Sequence, residues 1–175
     1  KDLTPEDAFR GDVKPLIQSP LDVDQLRGNA YLDEIFDQIV PAIVDVTNSE
    51  LSPTRTAMIG SSMGGLATLY SLTRHSAKFD TALALSTHWP IGGAPLVDWL
   101  VSRLPNDGAK KVWMSRGTKG YDSQYQPLQN RADKLMQDLG WNEDRYRSRV
   151  FKGAAHNERA WSRQIKEPLT FWLEN

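Results

Sequence analysis

Apolar positions recur along this chain in two rhythms. Short runs at Thr56–Ile59, Thr81–Leu85, Lys111–Ser115 and Arg147–Phe151 end in glycine-rich or polar clusters, and each predicts a β-strand. Between them the spacing lengthens to i, i+3, i+4, i+7. Leu32, Ile35, Phe36, Ile39, Val40 and Ile43 form one such stripe, with Pro41 inside it as an expected kink. Further helices are expected from about Gly65 to His75 and over 95–104. Another carries Leu128, Ala132, Leu135, Met136 and Leu139 with Gly140 as its C-cap, and a last one carries Trp161, Ile165, Leu169 and Trp172. Residues 1 to about 27 show no sustained period and are expected to form a long loop, and 48–53 a turn.

Strands alternating with helices predict an α/β fold, a mostly parallel sheet with helices on its faces. In such a sheet, side chains at the carboxyl ends of the strands converge on one crevice. The chain has 175 residues, 39% apolar and 25% charged, which fits one soluble domain spanning residues 1–175. A net charge of −1 leaves no electrostatic footprint for nucleic acid, and no apolar run reaches the roughly 20 residues of a membrane span. With no cysteine, disulfides and thiolate metal sites are excluded, and no ligand cluster suggests a metal. The first residue is Lys1 rather than Met, which fits processing or truncation and leaves the compartment open: cytoplasmic, periplasmic or secreted.

The most informative stretch is Arg55 to His75. Gly60-Ser61-Ser62-Met63-Gly64 is G-x-S-x-G between a strand and a helix, the setting of a nucleophile elbow. Such a turn lifts the serine above the sheet at a strained φ, and side chains two positions either side are expected to collide with neighbours, hence Gly60 and Gly64. The helix N-terminus beyond it favours developing negative charge. Three such fixed positions match by chance in about 6% of chains this long, so the flanking strand and helix carry much of the argument.

Ser62, Asp122 and His156 all follow expected strand ends. A serine hydroxyl needs a base to accept its proton, histidine can do so near neutral pH, and a carboxylate must orient that histidine. Their order, serine then acid then histidine, is that of α/β-hydrolases. Competing residues have plainer roles. His75 reads as a helix C-cap, Glu158 as a helix-start charge, and Asp107 as part of a Pro-Asn-Asp-Gly turn. His88 and Trp89 follow the second strand and are expected, from position, to shape a substrate pocket.

The chain resembles the α/β-hydrolase putative esterase family that includes esterase D, enterochelin esterases and mycolyltransferases. The resemblance is carried by Ile59-Gly60-Ser61-Ser62-Met63-Gly64-Gly65-Leu66, by Gly117-Thr118-Lys119-Gly120-Tyr121-Asp122 with Tyr125 and Pro127, and by Gly153-Ala154-Ala155-His156-Asn157-Glu158 with Trp161. It extends from about Leu32 onward. It implies Ser62 as nucleophile, His156 as base, Asp122 as acid, the Met63 N–H as an oxyanion donor, no cofactor, and a small-molecule ester as substrate. Family members also carry earlier strands and a loop supplying a second oxyanion N–H, which this chain does not show. In that family the elbow strand is central, so here it is expected to be an apolar edge, completed by a missing N-terminal segment, another chain or an oligomer contact. The alternatives are an acyltransferase or serine peptidase on the same scaffold, or a non-catalytic binding member of the fold.

Overall fold

The computed structural model of the chain describes residues 1–16 and 22–174. Four strands form one parallel sheet in sequence order: β1 (Ala57–Ser61), β2 (Thr81–Leu85), β3 (Lys111–Arg116) and β4 (Tyr146–Val150). Each pair is in register, with Ala57 opposite Thr81, Thr81 opposite Lys111, and Val112 opposite Tyr146. Parallel pairing needs a crossover between strands. These are supplied by α4 (Met63–Arg74), by α5 (Gly93–Val101) and by α6 (Gln126–Asp138).

The face carrying Ala82, Ala84, Val112 and Met114 packs under those three helices and forms the main core, with Leu66, Leu69, Leu96, Leu100, Ala132 and Met136. The opposite face is covered by α8 (Lys166–Leu173), where Phe171 meets Leu83 and Trp113. Every β2 residue is buried, as a strand sandwiched between two helical layers must be. β1 is half-exposed at the sheet edge, with Ile59 40% accessible, which matches the expected apolar edge. No helix among the described residues is long and apolar enough to cross a membrane.

Several elements differ from the sequence expectation for local reasons. The stripe from Leu32 to Ile43 lies on a helical run from α2 (Gly28–Glu34) to α3 (Val40–Thr47). The distortion expected at Pro41 takes the form of a π-turn over Ile35–Ile39, in which the Val40 N–H reaches back to the Ile35 carbonyl. The wider turn makes room for a ring that would otherwise press on the carbonyl four residues earlier. The last expected helix is two: α7 (Glu158–Gln164) and α8, separated at Ile165. Pro168 supplies the reason, since it cannot donate to Gln164 and crowds that carbonyl. Gly140 does cap α6: at φ +80 it sets a Schellman motif, with Gly140 N–H on Gln137 O and Trp141 N–H on Met136 O.

The loop expected over residues 1 to 27 includes 17–21, which lie outside the described residues. Elsewhere it is partly ordered secondary structure: α1 (Glu6–Arg10) and a 3₁₀ turn at Val23–Gln25. Ala8, Phe9, Val13 and Leu26 are buried in the main core although they keep no period. Polar contacts hold this segment to the helices. The Asn29 N–H donates to Glu6 at 3.1 Å, Asn29 Nδ2 to Asp7 at 2.7 Å, and the Tyr70 hydroxyl to Asn29. Arg74 pairs with Asp7 at 3.1 Å. His75, expected as a helix cap, stacks on Phe36 with ring centres 4.7 Å apart and lies 3.1 Å from Asp33.

Two outcomes follow for stability. A Cβ on Gly28 would stand 1.9 Å from the Thr4 carbonyl oxygen, so Gly28→Ala forces backbone movement. A cost of about 2–3 kcal/mol and a Tm lower by roughly 5–10 °C are expected in thermal denaturation. Burial pulls the His75 imidazole below its usual range, against the opposing pull of Asp33. The unfolded chain therefore takes up a proton first as pH falls below about 6.5, and urea midpoints are expected to drop from that pH downward.

Candidate active site

Ser62 joins β1 to α4 at φ +55, ψ −119, a conformation that L-residues rarely adopt. Backbone bonds hold it there. The Ser62 N–H donates to Leu85 O at 2.9 Å, while the Ser62 carbonyl accepts from Gly65 at 3.0 Å and from His88 at 3.1 Å. The turn is tight because the chain folds onto itself: a Cβ on Gly60 would lie 2.3 Å from Gly64 O and 2.8 Å from the Thr68 hydroxyl. The two glycines are not equivalent, contrary to expectation. A Cβ on Gly64 would meet nothing within 4 Å, whereas one on Gly65 would press on Thr87 Oγ1 at 3.1 Å. Close helix-to-strand packing therefore falls on Gly65. Met63 and Gly64 open α4, so their N–H groups belong to the helix's free first-turn donors beside Ser62.

Asp122 sits in the 3₁₀ turn Gly120–Gln124 after β3, and His156 in the loop between β4 and α7. The two loops are tied together: Thr118 and Lys119 N–H groups both donate to Ala154 O, at 3.0 and 2.9 Å, and the Gly153 N–H reaches Thr118 Oγ1 at 2.8 Å. A Cβ on Gly117 would come within 2.3 Å of Ala154 O, so only glycine allows this approach. Asn157 caps α7 through its side chain, which accepts from the Ala160 N–H, and fixes where the His156 loop ends.

The structure brings the three expected residues together. His156 Nε2 lies 2.8 Å from Ser62 Oγ, and His156 Nδ1 lies 2.6 Å from Asp122 Oδ1. A carboxylate can only accept, so Nδ1 carries the proton and Nε2 is left as the acceptor for the serine hydroxyl. Asp122 is 1% exposed. Its second oxygen accepts from the Gly117 N–H at 2.5 Å and from the Ser86 hydroxyl at 2.7 Å, which satisfies a buried charge that would otherwise be costly.

Of the two expected pocket residues, one is placed beside the serine and one is not. His88 is half-buried next to the elbow, its Nδ1 2.6 Å from the Tyr125 hydroxyl. Burial, with the charge of His156 adding to it, holds the His88 imidazole below its usual range. Burial and then the Asp122 charge push the Tyr125 phenol up, against the Ser62 hydroxyl, so it stays protonated. Trp89 is fully buried and its indole N–H points to Gln129 at 3.3 Å, which makes it a core residue rather than a pocket wall. The expectation failed because a tryptophan after a strand has the same signature in either role.

Side chains not foreseen by type or spacing complete the site. His156 meets the edges of Trp161, Tyr125 and Tyr121 at ring-centre distances of 5.0, 5.4 and 6.0 Å. Tyr121 is 67% exposed and forms the outer rim. Ser86 bridges Asp122 and Trp161. The sequence hints were the place of Tyr121, Tyr125 and Trp161 among the residues that carry the family resemblance and, for Ser86, its position one residue past β2. A separate groove of about 940 Å³ runs along β4, lined by Trp113, Tyr146, Arg149 and Glu167, and shares no residue with this cluster.

A family model described as Putative esterase matches residues 20–171. The uncharacterized protein YbbA of Bacillus subtilis (strain 168) is 28% identical over 153 residues, covering 83% of this chain and 60% of its own length. The enterobactin esterase FES from Shigella flexneri superposes with a TM-score of 0.69 at 16% identity, over 83% of this chain and 37% of that one. The siderophore hydrolase EstB from Aspergillus nidulans does so with 0.67 at 18%, over 97% and 63%. At such identities the likeness establishes the α/β-hydrolase fold. The chain spans three fifths or less of the first two of these proteins.

The elbow contacts predict opposite results for two glycines. Gly60→Ala is expected to cost about 3 kcal/mol by overpacking against backbone, lowering Tm by about 6–12 °C. Gly64→Ala is expected to leave Tm unchanged or raise it slightly, because alanine favours a helix and finds open space there.

Proposed function

The chain belongs to the putative esterase family, and from that premise we propose that it is a serine hydrolase cleaving carboxylic esters through Ser62, His156 and Asp122. The observation that carries the reading is the unbroken line of contacts from Ser62 Oγ through His156, 2.8 and 2.6 Å long, to a buried carboxylate.

His156 Nε2 takes the Ser62 proton as Oγ bonds to the ester carbonyl carbon, and the carbonyl oxygen becomes an oxyanion. The Met63 N–H, at the positive end of α4, is one donor for that oxyanion; one such donor is worth about 10²–10³ in rate. The imidazolium that forms is balanced by Asp122, which stays ionised. Collapse breaks the bond to the alcohol, which leaves with the proton from Nε2. Water then attacks the acyl-serine, gives its proton to His156, and the acid is released as Ser62 regains its hydrogen.

Substrate contacts follow from what surrounds the imidazole. Tyr121 and Trp161 present aromatic edges that suit a flat group on the ester, and the His88–Tyr125 pair offers hydrogen bonds beside Ser62. The names of FES and EstB, an enterobactin esterase and a siderophore hydrolase, support an ester of that general kind. No part of the sequence requires a metal or organic cofactor for this chemistry.

A fluorophosphonate probe tests the reading directly. Covalent labelling of the protein at Ser62 and hydrolysis of p-nitrophenyl acetate are expected, both abolished in Ser62→Ala. His156→Ala is expected to lower kcat by at least about 10³-fold and Asp122→Asn by about 10²–10⁴-fold. Labelling that persists in Ser62→Ala would overturn the assignment.

A further inference from the structure

Ser86 combines three features that its surroundings do not otherwise require. It lies one residue beyond β2, is 1% exposed, and holds φ at +46. Among the described residues, eight have positive φ, and five of them are glycines that bear it without strain. Of the other three, Asn48 ends α3 in a left-handed cap and Ser62 is the elbow serine. Glycine would relieve Ser86 too, but glycine has no hydroxyl. A strained non-glycine residue at a site is the kind of outlier that points to function.

The hydroxyl is held at both ends. Ser86 Oγ lies 2.7 Å from Asp122 Oδ2 and 3.0 Å from Trp161 Nε1. Donor and acceptor roles are unambiguous here, because an ionised carboxylate only accepts and an indole N–H only donates. The proton order is therefore Trp161 to Ser86 to Asp122 on one side, and Ser62 to His156 to Asp122 on the other. The Ser86 N–H is itself fixed on Ser115 O at 2.7 Å, so the hydroxyl projects from a clamped backbone. Trp161 also lays its ring against His156, centres 5.0 Å apart at 81°. One indole thereby touches His156 directly and reaches Asp122 through the Ser86 hydroxyl.

We propose that Ser86 is a positioning residue, anchored by Trp161, that stops the Asp122 carboxylate from rotating away from His156 Nδ1. Two donors on Oδ2, Gly117 N–H and Ser86 Oγ–H, leave Oδ1 as the oxygen that faces the imidazole. Loss of the hydroxyl leaves one donor, and small misplacements of a reacting group are costly in rate. The effect falls on turnover rather than on substrate binding, since Ser86 is buried behind the pair. The proposal rests on the ester-hydrolysis reading for its kinetic arm only.

The test uses variants of the purified protein. Ser86→Ala is expected to lower kcat and the rate of Ser62 fluorophosphonate labelling by about 10- to 100-fold with KM unchanged. Ser86→Gly, freed of strain, is expected to be at least as thermostable as Ser86→Ala yet equally slow. Ser86→Thr, which restores a hydroxyl, is expected to recover part of the rate. Trp161→Phe keeps an aromatic ring and loses the N–H together with part of the indole; combined with Ser86→Ala it is expected to be no worse than Ser86→Ala alone. Proton NMR of the His156 Nδ1–H reads the pair without turnover, and its downfield resonance is expected to move upfield in Ser86→Ala. Wild-type kcat in Ser86→Ala and Ser86→Gly, or an unmoved resonance, overturns the proposal. Labelling that persists in Ser62→Ala sinks the hydrolase reading instead and leaves the NMR result to stand on its own.

Discussion

A single buried carboxylate gathers the carboxyl ends of three strands. Asp122 accepts from the Gly117 N–H just past β3, from Ser86 just past β2, and from His156 beyond β4. A charge so enclosed is tolerable only when its oxygens are fully engaged, so each of the three segments is needed to satisfy it. The converse also holds. With Asp122 held from three sides, the imidazole has one favoured orientation, and Ser62 is met at its free nitrogen. The loop-to-loop bonds on Ala154 and the missing side chain at Gly117 exist to let that carboxylate be reached.

The elbow presents the opposite balance, strain held in place by packing. Ser62 has an unfavourable φ and a helix begins immediately after it. What keeps it there is α4, whose Leu66, Leu69 and Leu72 are fully buried in the main core and whose Gly65 sits against Thr87 and the Leu85 carbonyl. Burying each such leucine contributes about 1.5–3 kcal/mol, which outweighs the roughly 1–3 kcal/mol of a strained residue. The same helix is tied through Tyr70 and Arg74 to the N-terminal segment. That segment thus steadies the back of the helix whose front end holds the serine.

The apolar surface is uneven in a way that follows the topology. β2 and β3 are enclosed, while β1 is an edge and leaves Ile59 partly open. Past the π-turn, Ile43 and Val46 on α3 are 55% and 85% exposed, although the stripe they extend is buried at Leu32 and Phe36. Hydrophobic spacing alone does not distinguish the two ends of that stripe. Only the position of the helix over the sheet does.

Local chemistry in the sequence was enough to determine the alternation of strands and helices, the Thr81–Leu85 strand to the residue, the glycine stop after α6, and the tight strand-to-helix turn at Ser62. Each of these depends on neighbours a few residues apart, whose periodicity and turn preferences survive in one dimension. The order of Ser62, Asp122 and His156 along the chain was legible for the same reason, since strand ends predict where a crevice forms. Tertiary structure alone decided that Ser86 and Trp161 share Asp122 and His156, that Trp89 goes to the core and His88 to the site, and that Gly65 rather than Gly64 takes the close contact. It likewise decided that Phe9 and Val13 join the core without any period. These outcomes depend on which atoms of distant segments arrive at the same point, and that is set by crossover geometry and close packing rather than by any spacing written along the chain.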